Sequence, residues 1–202
     1  MYHFVDQKIC KTLRIKCEEI LKAVQKELAG YFTFQFLLIG SGERRLVTQN
    51  EEGIFDLDYN LILMKDKKGL IDNPKRIKEL FLNAFNKAYP KLSFQNSTSV
   101  ITSCLRLGDV LFSFDCAIVC EGNNGNLYKI VFDKPDRYIW NEVRHTKDFN
   151  ARYRYLLSEN EFPNIRDLYL KKKNQHLRQN DGVQSFSILV ETVNEIMQRR
   201  NR

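Results

Sequence analysis

Two carboxylates stand two residues apart at Asp56 and Asp58, in the run IFDLDYNLILM. Branched and aromatic residues there predict a strand from Ile54 to Met64. Side chains alternate across a strand, so Asp56 and Asp58 point to one side and Leu57 and Tyr59 to the other. Paired carboxylates on one face repel each other, and a divalent cation resolves that repulsion. Hard oxygen ligands select Mg²⁺ or Mn²⁺. The plainer reading is the wet face of a half-exposed strand. A third acid, Asp115, sits in the apolar run LFSFDCAIV and shares a strand face with Leu111, Ser113, Ala117 and Val119. Burying its charge is costly without a partner or a metal. The pair Gly40-Ser41 follows the apolar run FLLI. Glycine lets a backbone approach a phosphate closely, and a serine hydroxyl beside exposed N–H groups can donate to one.

These residues need a frame. Ile9, Leu13, Cys17, Ile20, Leu21, Val24 and Leu28 recur at steps of three and four, which predicts a helix over 6–29 ended by Gly30. A strand follows over 31–39 and is broken by Gly40-Ser41-Gly42. Pro74 opens a second helix that runs to Tyr89 with Ile77, Leu80, Phe81, Ala84, Phe85 and Ala88 as its apolar stripe. A short strand is expected over 91–96. Residues 99–107 and 110–119 read as a hairpin across Gly108-Asp109, with a further short strand over 127–132. Residues 133–141, with the single tryptophan Trp140, read as irregular. Three helices follow, over 148–158, 163–178 and 185–200. The last has Phe186, Leu189, Val190, Val193 and Ile196 as its apolar side.

The bulk numbers set bounds. A chain of 202 residues with 43% apolar and 12% aromatic content can bury a sizeable core, as one large domain or a domain with a small appendage. No apolar run approaches the ~20 residues of a membrane span. The start MYHFVDQKICKT lacks the apolar centre of a secretory signal. The five cysteines, Cys10, Cys17, Cys104, Cys116 and Cys120, have no zinc-like pairing and read as reduced thiols of a cytoplasmic protein. His3, His145 and His176 are scattered, so no histidine metal site is expected. The net charge is +7, with much of the excess towards the C-terminus, including Arg144, Arg152, Arg154, Arg199, Arg200 and Arg202. A basic balance favours polyanionic partners such as nucleotides or nucleic acid, and serves solubility equally well.

Taken in order, Gly40-Ser41, then Asp56-Leu57-Asp58, then Asp115 in FSFDCAIV, the chain resembles the DNA polymerase β-like nucleotidyltransferase superfamily. The segments DFNARYRYL, FPNIRDLYLKKKNQHL and SFSILVETV are similar to the helices that follow the catalytic sheet in its oligoadenylate synthetase-like and cyclic-nucleotide synthase branch, with poly(A) polymerases as cousins. The resemblance implies an α+β fold, a mixed sheet flanked by helices followed by a C-terminal helical half. It implies a catalytic domain over 1–132 and a helical region over 133–202 packed on it. It also implies a nucleotidyltransferase that binds a nucleoside triphosphate, ATP included, and uses Mg²⁺ or Mn²⁺. Asp56 and Asp58 would hold both metals. Asp115 would hold the catalytic one and serve as general base. Gly40 and Ser41 would hold the β and γ phosphates. Lys171, with Lys172 as its neighbouring alternative, and Ser185 would help hold the triphosphate. Arg44 and Arg45 would neutralise phosphate charge or act as surface residues. Where the superfamily commonly has a second glycine followed by Ser or Thr after Gly-Ser, this chain reads GERRLVTQNEEG, with Thr48 but no Gly-Thr pair.

The acceptor stays open between a nucleotide, an RNA end, a protein side chain and a small molecule. Two other readings stand beside an active enzyme. One is a nucleic-acid-binding or regulatory module that keeps the fold without catalysis. The other is one component of a toxin–antitoxin-type pair, which would require a protein partner.

Overall fold

The computed structural model describes residues 1–134, 137–143 and 147–200. In chain order its elements are β1 (Tyr2–Phe4), α1 (Gln7–Leu28), β2 (Phe32–Leu38), α2 (Gly40–Glu43), β3 (Thr48–Asn50), β4 (Phe55–Asp66), α3 (Pro74–Ala88), β5 (Gln95–Asn96), β6 (Ile101–Leu107), β7 (Val110–Glu121), β8 (Leu127–Lys134), β9 (Arg137–Glu142), α4 (Lys147–Ser158), α5 (Phe162–Gln179) and α6 (Ser185–Arg200). Arg144, His145 and Arg202 lie outside the described residues. The chain forms two compact units. A sheet unit takes Asp6–Val47 and Ile54–Val143, and a helical unit takes Met1–Val5, Thr48–Gly53 and Arg144–Arg202. Together the elements make an α+β fold with a mixed sheet and a C-terminal helical part.

The sheet unit has the strand order β2-β4-β7-β6-β5, and β8 joins β7 and carries β9 at its far side. β4 and β7 run parallel, while β2–β4, β6–β7, β7–β8 and β8–β9 are antiparallel. Phe55, Leu57, Tyr59 and Leu61 of β4 and Phe112, Phe114 and Cys116 of β7 are buried in the core. α1 starts where the Asp6 carboxylate accepts the Lys8 N–H at 2.6 Å. That cap satisfies one of the orphan donors of the first turn. Its buried stripe is Cys10, Leu13, Cys17, Ile20, Leu21, Val24 and Leu28. Ile9, expected in the stripe, is instead exposed, because one step of 100° carries it off the face that Cys10 occupies.

α3 carries Pro74 in its first turn, and the Asn73 side chain caps the Arg76 N–H at 3.0 Å. Phe81 of α3 meets Phe32 and Phe34 of β2 at centroid separations of 5.9 and 5.0 Å. Its stripe also includes Lys78, a buried cation whose ammonium donates to the Ser97 carbonyl at 2.7 Å and lies 5.3 Å from the Tyr138 ring centroid. Burial pulls this amine down to about 8.

The stretch expected to be irregular contains β9. Arg137–Glu142 pairs antiparallel with β8, and the Trp140 indole N–H donates to the Ile71 carbonyl at 2.7 Å. The alternation of RYIWNE is weak because the segment lies at the sheet's edge, so its partner strand sets its conformation. Two three-residue strands, β1 and β3, form an antiparallel ribbon in the helical unit. In α6 the buried residues are Ile188, Leu189, Thr192, Val193 and Ile196. Phe186 is exposed and takes an edge-to-face contact with Phe149 at 5.0 Å, instead of belonging to the buried stripe as expected. Thr192 fits among the apolar side chains because its hydroxyl donates back to the Ile188 carbonyl at 2.8 Å.

Candidate active site

The parallel register of β4 and β7 sets Asp58 opposite Asp115 and Asp56 opposite Ser113. Residues level with one another on adjacent strands share a face. All three acids therefore stand on one face of the sheet, opposite the face formed by Leu57, Tyr59 and Phe114. Asp56 is exposed, and Asp58 and Asp115 are half-buried. Burial raises the Asp58 carboxyl to about 6, and the charges of Asp56 and Asp115 add to the rise. Burial and nearby like charges both disfavour the ionised form of this carboxyl.

Asp115 has polar company. Its Oδ1 accepts the Ser113 hydroxyl at 2.8 Å and the Thr102 hydroxyl, from β6, at 2.5 Å. The β6–β7 register places Thr102 directly across from Asp115 and Cys104 across from Ser113. Thr102 is legible in the sequence only by counting back from the Gly108-Asp109 turn to the position across from Asp115. Ser113 was legible as the residue two before Asp115 on the same strand.

The Gly-Ser turn joins this face from β2. The Ile39 N–H donates to the Asp58 carbonyl at 2.9 Å, so the end of β2 lies beside the metal-ligand candidate. Gly40 then adopts φ +65°, and a Cβ there would stand 3.1 Å from Asp58 Oδ2. Both the dihedral and the space call for glycine. The next residues form the single helical turn α2, where the Leu46 N–H donates to the Ser41 carbonyl at 2.9 Å. Gly42 is buried, and a Cβ on it would meet Leu38 Cδ1 at 3.0 Å. The second glycine after Gly40-Ser41 is thus a packing residue. Arg44 turns back on its own loop, with Nη1 3.0 Å from the Gly40 carbonyl and 3.7 Å from Glu43. Arg45 is exposed and takes φ 57° at the loop's exit.

The three acids suit a hard divalent cation in donor type and in strand placement. Among the described residues, no three His, Cys, Asp or Glu side chains are already gathered round one point. The fit therefore lies in the oxygen donors and their shared strand face, with the carboxylates facing one way but not closed into a cage.

In the helical unit the three consecutive lysines of α5 part company, since each step on a helix turns the side chain by 100°. Lys171 is exposed and lines a cavity of about 430 Å³ with Glu161, Asp167 and Arg199. Lys172 lies between Glu191 and Glu195, the latter at 2.8 Å. Lys173 is buried; its ammonium donates to Thr48 Oγ1 at 2.7 Å and sits 4.0 Å from the Tyr2 ring centroid. Ser185 opens α6, bonds the Tyr169 hydroxyl and lines a second cavity of about 140 Å³ with Lys173 and His176. Lys171 and Ser185 line different cavities, and the lysine that shares one with Ser185 is Lys173. Nothing in the triplet's local sequence separates the three; the ribbon formed by Tyr2 and Thr48 does.

No protein-family profile and no curated protein matches the chain. Solved structures do. A CdnE c-di-GMP synthase from Capnocytophaga granulosa superimposes with a TM-score of 0.69 at 14% identity, over 95% of this chain and 61% of that one. A CdnC from E. coli MS115-1, solved in complex with a HORMA protein, gives 0.58 at 13% identity over 95% and 60%. The Bradyrhizobium diazoefficiens CD-NTase CdnG, solved with GTP, gives 0.55 at 16% identity over 78% and 47%. The chain thus spans between about half and three fifths of the length of these structures. Its fold is that of the polymerase β-like nucleotidyltransferases, in the form taken by the cyclic-nucleotide synthase branch.

Proposed function

We propose that the chain is a metal-dependent nucleotidyltransferase that transfers a nucleoside monophosphate from a nucleoside triphosphate to a hydroxyl acceptor, with release of pyrophosphate. The observation that carries this reading is the register of Asp58 with Asp115 on parallel neighbouring strands, with Asp56 on the same face and Gly40 against Asp58. Asp56, Asp58 and Asp115 are the residues that would hold Mg²⁺ or Mn²⁺. When bound, such ions supply charge neutralisation at the phosphates and a lowered pKa for the attacking hydroxyl.

The remaining roles fall to the chain itself. The Gly40-Ser41 turn brings backbone and a hydroxyl to the edge of the acid face, where phosphate oxygens would be held. Asp115, held by two hydroxyl donors, is the carboxylate positioned to receive the acceptor's proton. In the helical unit Ser185 is a candidate triphosphate contact. Lys173 now stands beside Lys171 as the candidate cation, because it shares Ser185's cavity. For the acceptor, we favour the ribose hydroxyl of a second nucleotide. The support is the naming of neighbours of this fold as a c-di-GMP synthase and as a cyclic AMP-GMP synthase solved with a linear dinucleotide intermediate.

The test is transfer from each α-labelled nucleoside triphosphate in Mg²⁺ or Mn²⁺, alone and with the other nucleotides. An Asp56→Ala/Asp58→Ala protein runs in parallel. The account expects labelled oligonucleotide or cyclic product and pyrophosphate from the wild type alone. Turnover that survives in the double variant, or none from a folded wild type under any condition, contradicts it.

A further inference from the structure

Asp115 differs from the other two acids in what holds it. Ser113 and Thr102 both direct their hydroxyls at one oxygen of its carboxylate, Oδ1, at 2.8 and 2.5 Å. The two hydroxyl oxygens are 3.3 Å apart. Each hydroxyl has a single proton, and both protons are spent on Asp115. The Thr102–Ser113 approach is therefore a consequence of convergence on a shared acceptor. The donors come from different strands, Ser113 from two residues before Asp115 on β7 and Thr102 from the position directly across on β6. A carboxylate hydrogen-bonded from two strands through one oxygen is held in one rotamer.

We propose that Thr102 and Ser113 are positioning residues for the third carboxylate. By occupying Oδ1 they turn Oδ2 of Asp115 towards the face it shares with Asp56 and Asp58, so that this acid enters a divalent-cation site through a single oxygen. The proposal rests on the nucleotidyltransferase reading above and goes beyond it, since it assigns roles to two hydroxyls that no motif marks. Thr102 also explains why β6 matters to the site: the strand contributes no acid, yet it sets the orientation of one. Partners that orient a metal-ligating carboxylate typically matter by about 10- to 100-fold in metal affinity.

The experiment is Mn²⁺ binding to the whole chain without nucleotide, followed by electron paramagnetic resonance. The proteins are the wild type, Asp56→Ala/Asp58→Ala, Thr102→Val, Ser113→Ala, the Thr102→Val/Ser113→Ala pair and Thr102→Ser, with thermal unfolding of each as the folding control. The expected result is Mn²⁺ binding that the acid double variant loses and that the hydroxyl pair weakens by about 10-fold or more. Thr102→Ser, which keeps the hydroxyl, should stay near wild type, and Thr102→Val should not, although the two fold alike. Wild-type affinity in the hydroxyl pair overturns the proposal while leaving the nucleotidyltransferase reading intact. Equal loss in Thr102→Ser and Thr102→Val overturns it as well, because packing and not the hydroxyl would then be at work. Binding that is absent from the wild type, or indifferent to Asp56 and Asp58, overturns both.

Discussion

On β4 and β7 three carboxylates face one way, and the half-buried one, Asp58, is pushed up to about 6 by burial and by its two neighbours. Between α5 and α6 a cluster of comparable size is arranged the other way. There Lys172 lies between Glu191 and Glu195, while His176 Nδ1 is 2.6 Å from Asp181 and Nε2 is 3.2 Å from Glu191. Hydrogen bonds from Lys172 hold Glu191 and Glu195 below the ordinary carboxylate range, and the bond to Asp181 raises the His176 imidazole. Each acid in the helical cluster has its cation, whereas Asp58 is buried among like charges and Asp115 is held by hydroxyls. The acid face is where a cation and a polyanion are proposed to bind, and burying Asp58 beside like charges works against the folded state while it is ionised.

The contrast can be broken by substitution. The largest effect is expected at Asp56 and Asp58. Replacing either with Ala or Asn should lower the transfer rate by roughly a thousandfold, on the order of 4 kcal/mol of transition-state stabilisation. A labelled-nucleotide assay reads this.

The same Asp58→Asn change should raise metal-free stability, by on the order of 1–3 kcal/mol at neutral pH, because it removes a charge that burial and like neighbours penalise. Chemical denaturation measures it. The sign with pH follows from the raised carboxyl. The folded state holds this proton more tightly than the unfolded chain, so folded stability falls as pH rises from about 4 to about 6 and is level above that. The helical cluster acts with the opposite sign, since acids held below their ordinary range contribute stability that is lost as pH falls through the carboxylate range. The Asp58 contribution is therefore read as a difference: Asp58→Asn should gain on the wild type as pH rises from about 4 to about 6 in metal-free melting.

Gly40→Ala comes next. It forces a side chain into the left-handed region and towards Asp58 Oδ2, and should cost about 1–2 kcal/mol of stability. It should also lower activity, because Asp58 must move. Smallest is Lys172→Met in the helical cluster. It should lower stability by about 1 kcal/mol or less, with the effect shrinking in salt, as expected of ion pairs near the surface. Equal stability responses to Lys172→Met and Asp58→Asn would erase the distinction between the clusters.

How much of this was legible depends on how local the cause is. α1, α3 and the β6–β7 hairpin were readable because apolar periodicity, Asn73-Pro74 and Gly108-Asp109 are signals contained in a few residues. The alternation that puts Asp56 and Asp58 together is equally local. That Asp58 meets Asp115 is not, because a parallel pairing of β4 with β7 is fixed by packing across some 50 intervening residues. β9 and the β1–β3 ribbon carry no such local signal, because edge and three-residue strands take their conformation from partners. The choice among Lys171, Lys172 and Lys173 was invisible for the same reason. Helical rotation says they face different ways, but only Tyr2, Thr48, Glu191 and Glu195 say which way is which.

The most direct test of the acid face as a cation site is thermal unfolding of the wild type and of Asp58→Asn, each with and without Mn²⁺, at pH 7. A ligand that binds only the folded state stabilises it by about 2.7 kcal/mol at a hundred times its Kd. The account predicts that without metal Asp58→Asn melts above the wild type, and that Mn²⁺ raises the wild type and leaves the variant unmoved. A wild type indifferent to Mn²⁺, or an equal rise in both proteins, would contradict it.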